Sequence, residues 1–298
     1  MNIRNGLSKY MLTAAAAVLT SMICYPSVSS ISAQGSMTGE WILEMKPGTD
    51  FVYFSIHRRS ERGGTHSSSS DIRADSLKGL SAAQASGSGS AVSFQVVREA
   101  GTLNCEGWFK EGKGSGSFTF APNQRFAAEM RSLGYEQLSD EKLFSMAVHD
   151  IGLTFIRELN ALGYDHLTID NLFAMRIHGA GPQFIKAMKD EGYDRVPVDN
   201  LVAMRIHGVK PEFIGELKSL GYQHPPIDQL VAMRIHGVSK EFVKEIKVLG
   251  FDRVSTDQLV AMRIHGVSSA FIQKMKTRGF NDASIDQLIE LKIHGFDK

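Results

Sequence analysis

The sequence predicts an α+β multidomain protein, a small antiparallel β module followed by an α-solenoid of 29-residue helix-pair repeats. Three observations predict it. Residues 39–121 alternate apolar and polar side chains with a period of two, the signature of half-buried strands. From Phe126 onward, residues of several types return every 29 positions. The 298-residue chain is 43% hydrophobic and 22% charged, which places it among ordinary folded proteins of about two domains. The expected division is a signal peptide at 1–33, the β module at 36–121 and the helical repeats at 122–298.

The N-terminal segment has the tripartite pattern of a secretory signal. Arg4 and Lys9 are followed by an apolar run over 11–24 and a small-residue stretch over 27–33. A run of that length is short of the roughly 20 residues a bilayer-spanning helix needs. Cleavage is expected after Ala33, with Ser29 as a second position and an uncleaved anchor as the alternative. Cleavage removes Cys24 and leaves Cys105 as the only one of the 2 cysteines, so no intramolecular disulfide can form. Cys105 lies in a strand-like run beside Trp108 and reads as an apolar filler.

In the β module, Trp41-Ile42-Leu43-Glu44-Met45 reads as a strand ended by Pro47-Gly48. Residues 51–56 form a second and 67–73 a third. Residues 81–90, rich in Ser, Ala and Gly, read as a mobile loop. Residues 92–96, 102–109 and 117–120 complete five or six strands, an antiparallel meander closed on itself or sandwiched. His57 and His66 have no motif around them.

The repeat places His149, His178, His207, His236, His265 and His294 at intervals of 29, and likewise the glycines from Gly134 to Gly279 and the phenylalanines from Phe126 to Phe271. Residues 201–208, 230–237 and 259–266 all read LVAMRIHG. Each unit holds two helices. The first starts at a capping box such as Ser255 with Gln258 or Ser284 with Gln287, carries an Asp in its first turn, and ends at Gly179, Gly208, Gly237 or Gly266. The second starts near Pro182 or Pro211 and ends at the other glycine series. Both ends fit a Schellman cap, with Tyr193 on Met188 or Val209 on Met204 as the apolar pair. Phe213, Ile214, Leu217 and Leu220 form an apolar face that one helix pair cannot bury alone, so neighbouring pairs must stack. Five full repeats, 139–167 through 255–283, lie between two half-units. The repeat at 139–167 departs from the rest, with Ala147 in place of Arg and Asp150 in place of Gly.

The 13 Met and 10 His point at first to soft metals. Stacked helices lie about 8–10 Å apart, whereas two zinc ligands must come within about 3–4 Å of each other. No metal or other cofactor is therefore expected, and the histidine rings are expected to cap helix carbonyls. Arg176, Arg205, Arg234 and Arg263, with Lys292, form a second ladder. A bond to an Asp of the neighbouring repeat is the structural expectation, and a basic stripe for a partner is the alternative. The candidate partner-binding residues are these four arginines with His178, His207, His236 and His265.

The pattern D-x-L-V-A-M-R-I-H-G-V-x-x-E-F-I-x-E-L-K-x-L-G-Y resembles repeats at the extracytoplasmic C-terminal end of some bacterial antirepressor metallopeptidases, membrane proteins related to β-lactam sensor–transducers. Residues 98–123, REAGTLNCEGWFKEGKGSGSFTFAPN, resemble the β module that precedes those repeats. The resemblance implies secretion in a bacterium and a role in envelope sensing or protein contact. The family's membrane helices and H-E-x-x-H zinc motif do not occur in this sequence, nor does an S-x-x-K nucleophile with its partner motifs, so its peptidase activity is not carried over.

The functional expectation is a periplasmic or secreted, non-enzymatic protein whose solenoid surface binds a protein or peptide in the cell envelope. A balance of 33 basic against 32 acidic side chains, net +1, argues against a nucleic-acid partner. No stable membrane span is expected after signal cleavage, and the oligomeric state is open. The alternative is a hydrolase or small-ligand-binding protein with its site in or beside the β module, where Glu106, Arg125 and Glu129 are the nearest polar candidates. Metal buffering by His and Met is a third reading.

Overall fold

A computed structural model describes residues 37–59, 64–136 and 138–296, which belong to one compact unit. The expected signal peptide, with Cys24, lies outside the described residues.

Seven strands form one antiparallel sheet: β1 (Met37–Met45), β2 (Phe51–Arg59), β3 (Thr65–Arg73), β4 (Leu77–Lys78), β5 (Ser90–Arg98), β6 (Gly101–Lys110) and β7 (Lys113–Pro122). Their order is β3-β2-β1-β7-β6-β5-β4, so β1 lies between β2 and β7 and the chain is not a simple meander. The expected five or six strands become seven among the described residues because β4 has two residues, too few to alternate. The expected loop at 81–90 is another difference. It contains helix α1 (Ala82–Ser86), nucleated by a reciprocal capping box between Ser81 and Gln84, and Ser90 already belongs to β5.

Alternation puts Trp41, Leu43, Phe54, Phe94, Cys105, Phe109 and Phe118 in the interior. The Trp41 indole donates to the carbonyls of Glu106 and Ser117 at 3.2 and 3.0 Å. It reaches them because Gly107 faces Gly116 across β6 and β7, and a Cβ at Gly107 would stand 2.8 Å from the indole ring.

The helices are α2 (Gln124–Ser132), α3 (Asp140–Val148), α4 (Leu153–Ala161), α5 (Ile169–His178), α6 (Pro182–Asp190), α7 (Val198–Ile206), α8 (Pro211–Ser219), α9 (Ile227–Ile235), α10 (Lys240–Val248), α11 (Thr256–His265), α12 (Ser269–Thr277) and α13 (Ile285–Ile293). Helix α5 packs on α7, α7 on α9, α9 on α11 and α11 on α13. Among the even-numbered helices, α4 packs on α6, α8 on α10 and α10 on α12, less closely. The capping boxes at Ser255 and Ser284 form as expected, and Thr168 with Asn171 makes another. The Schellman bonds are present. Val209 and Tyr193 amides donate to Met204 and Met188 at 2.8 and 2.9 Å, and Gly192, at φ 93°, donates to Lys189. Met146, Met175, Met204, Met233 and Met262 have no exposed surface.

Sheet and helices share one core. Phe54 and Ile56 of β2, Val96 of β5 and Leu103 of β6 surround one small interior space with Ala147 and Val148 of α3, so the sheet curls about that helix. Phe144 of α3 packs against Phe118 and Phe120 with centroids 5.8 and 5.3 Å apart. Arg58, 8% exposed, binds both oxygens of Glu141 at 2.7 and 2.8 Å. Glu99, in the turn between β5 and β6, supplies the cap that Gly152 cannot. Its carboxylate accepts from the Leu153 amide at 3.0 Å, at the N-terminus of α4.

Candidate interaction surface

Two cation ladders tie successive repeats together. In the first, Arg176, Arg205 and Arg263 donate from Nε to the carbonyls of His149, His178 and His236 at 3.0, 3.2 and 3.2 Å. The guanidiniums of Arg176, Arg205, Arg234 and Arg263 lie 5.0–5.2 Å over the rings of Phe155, Phe184, Phe213 and Phe242. Lys292 takes the same place over Phe271. The partner of the ladder is thus a helix-end carbonyl and an aromatic face, not the expected Asp of the helix start. At the divergent repeat an Asp takes part, because Asp150 replaces the cap glycine and its carboxylate meets Arg176. The Asp series instead accepts from the preceding first helix, Gln229 to Asp257 at 3.0 Å and Gln258 to Asp286 at 2.9 Å.

The second ladder is absent from the sequence reading. Lys218, Lys247 and Lys276 donate to the carbonyls of Glu191, Leu220 and Leu249 at 3.0, 2.6 and 2.8 Å, each 27 residues back. The same offset separates Arg205 from His178. A hydroxyl ladder runs forward: Tyr164, Tyr193 and Tyr222 donate to Val196, Pro225 and Val254 at 2.7, 2.7 and 2.8 Å. Burial, and then the Glu191 carboxylate, push the Tyr193 phenol up to about 12.

The histidines behave differently from the expectation. It is their backbone carbonyl that is capped, by the arginine of the next unit, and not a carbonyl that their ring caps. The rings of His178, His207, His236 and His265 stand exposed, with no hydrogen bond or ion pair among the described residues. His149 is half-buried against Phe173, and burial followed by Arg176 lowers its pKa.

Beside each exposed histidine stands an exposed isoleucine. Ile177, Ile206, Ile235, Ile264 and Ile293 are 55, 54, 53, 52 and 53% exposed. The partly buried Val202, Val231 and Val260 lie one turn back on the same ridge. A signal for this stripe was in the sequence. Each isoleucine follows the buried methionine by two positions, about 200° round a helix of 3.6 residues per turn, opposite the core. The structure therefore separates the candidate residues. The arginines hold repeat to repeat, while the histidine rings and the isoleucines beside them in sequence stand exposed.

Two clefts lie where the sheet meets the helices. One, of about 390 Å³, includes Glu99, Asp150, Glu158, Arg176 and Gln183. The other, of about 480 Å³, lies along β3. Both contain Asp150 and Arg176, and Arg98 meets Asp150 at 3.4 Å. The sequence candidates Glu106, Arg125 and Glu129 line neither cleft; Arg125 and Glu129 pair with each other along α2 at 3.1 Å. The His57 ring sits between Ser55 and Ser67, each 3.1 Å from one ring nitrogen, but Ser55 is 4% exposed and not placed to attack a substrate. Cys105 is buried, and that burial raises its thiol to about 12, far from a thiolate nucleophile. No group of three His, Cys, Asp or Glu side chains suited to a metal occurs among the described residues. No helix among them is long and apolar enough to cross a membrane.

Protein-family models and curated proteins were compared with the chain, and none matches.

Proposed function

We propose that this is a secreted, non-enzymatic interaction protein of a bacterial envelope. Its 29-residue units stack as an α-solenoid, and the surface of the first helices holds a partner protein or peptide. One observation carries the reading: five isoleucines in successive units remain more than half exposed. Single exposed aliphatics are ordinary, but one repeated at the same position of successive units supports an interaction surface. The basic N-terminal segment and apolar run support secretion, and the resemblance to antirepressor repeats supports an envelope-sensing role. Near-zero net charge favours a protein over a nucleic acid.

Crosslinking in the native envelope with mass spectrometry tests the reading. Partner crosslinks are expected at lysines flanking the first helices, such as Lys210 and Lys240. Crosslinks confined to residues 36–121 would contradict it.

A small-ligand site is the second reading, favoured by the cleft of about 390 Å³, which Glu158, Arg176 and Gln183 line. It predicts saturable binding of a polar small molecule that Gln183→Ala weakens and that Ile206→Glu leaves intact. Loss of that binding only in Ile206→Glu would remove it.

A further inference from the structure

We propose that the free edge of β3 docks an extended, acidic segment of a partner polypeptide, which joins the sheet as an added strand. The inference goes beyond the helix stripe and does not depend on it. Strand β3 ends the sheet and, among the described residues, pairs over its 9 residues with β2 alone. Six consecutive residues of β3, 68–73, border the cleft of about 480 Å³. Successive side chains in a strand point to opposite faces, so consecutive residues share a cleft only when the strand's edge opens onto it. Across the cleft stand Val148, His149 and Ile177, at the ends of α3 and α5. Strand addition needs this arrangement: unpaired backbone groups along an edge, and a facing wall for alternate side chains.

Among the described residues the charges on β3, Asp71 and Arg73, are already matched by Lys46 and Asp75, and no bulge interrupts the edge. Its pairing with β2 runs in unbroken register from Arg59↔Thr65 to Phe51↔Arg73, without a bulge. The sequence THSSSSDIR holds no lysine and no proline, the usual devices that blunt an edge. The helix-end carbonyl on the far wall does not compete, because His149 is already capped by Arg176.

Charge selects the occupant. Asp71 is matched by Lys46, and Arg73 by Asp75. Arg98 and Arg176 share the single carboxylate of Asp150. Three Asp and three Arg line the cleft among the described residues, but Lys46 from outside it already matches Asp71, so at the helix end two arginines face one carboxylate beside the apolar Val148 and Ile177. A strand with an aliphatic side chain toward those two residues and a carboxylate toward the arginine pair satisfies both.

Selection from a random peptide display library against the purified full chain tests the proposal. The selected peptides are expected to carry Asp or Glu and to slow hydrogen exchange at amides within 68–73. Methylating alternate backbone nitrogens of a selected peptide is expected to weaken binding about tenfold for one set and to leave the other nearly unchanged, because only one edge of a strand pairs. Binding is expected to persist in Ile206→Glu. The proposal fails if no binder is obtained, if protection falls elsewhere, if both methylation sets act alike, or if Ile206→Glu abolishes binding. It also fails if the chain dimerises through the same amides.

Discussion

Tyr193 and Phe251 occupy equivalent positions in second-helix caps two units apart, yet only the tyrosine hydroxyl reaches a carbonyl, 32 residues on. Tyr193→Phe leaves the buried Pro225 carbonyl without its donor and is expected to cost about 1–2 kcal/mol in denaturant unfolding. The reverse change, Phe251→Tyr, is expected to gain about 0.5–1.5 kcal/mol by reaching the Ala283 carbonyl. The arginine and histidine ladders separate in the same way. Arg234→Ala loses a guanidinium over Phe213 and is expected to cost about 0.5–1 kcal/mol, whereas His236→Ala, with no such contact, is expected to stay below that. His149 adds a pH dependence. Its folded pKa is lowered, first by burial and then by Arg176, so the unfolded chain binds the proton more readily. Stability is therefore complete above the ordinary histidine range and falls as pH drops through it. Melting curves of His149→Gln should show a shallower loss between neutral and mildly acidic pH than the native chain. The spacing of these residues is legible in the sequence, but their partners are not. A recurring Arg and Asp suggest an ion pair, and nothing in one dimension shows that a stacked neighbour offers a carbonyl and a phenylalanine ring instead.

Helix ends carry the next level of organisation. Caps are local, so Ser255 with Gln258 and the glycine-terminated Schellman ends can be read from a few adjacent residues, and each forms. Caps supplied from elsewhere in the chain escape such reading. Lys218 reaches Glu191 from the next unit, and Glu99 reaches α4 from the sheet. The Glu99 cap also explains Gly152. Its φ of −122° suits any residue, but a Cβ there would stand 2.5 Å from the Glu99 carboxylate. Gly152→Ala is expected to cost about 1–2 kcal/mol in the native chain and much less in a Glu99→Ala background. Additive losses in that double-mutant cycle would rule out the carboxylate as the cause. Helix α1 escaped for a related reason: Ser, Ala and Gly composition reads as loop, while one Ser–Gln pair decides the helix.

At the scale of the whole molecule, the curled sheet seats one end of the helices through Phe144, Arg58 and Glu99, and the remaining helix pairs follow by ladders of constant offset. The α+β class and the succession of strands and helices were legible because periods of two and 29 are carried by the sequence itself. The order of strands was not, because the pairing of β1 with β7 joins residues far apart in the chain. Within the candidate site the sequence singles out the histidines and not the isoleucines, whose exposure shows only when each is placed on the helical wheel relative to the buried methionine two positions before it. The stripe they form is the centre of the functional reading. The most direct test is the affinity of an envelope partner, identified by crosslinking, for the chain carrying Ile206→Glu, Ile235→Glu and Ile264→Glu together. Each position is more than half exposed, so each change should alter stability by no more than about 0.5 kcal/mol. The reading predicts a folded variant whose partner affinity falls about tenfold or more, a loss of at least about 1.4 kcal/mol. A folded variant that binds the partner as tightly as the native chain would contradict it.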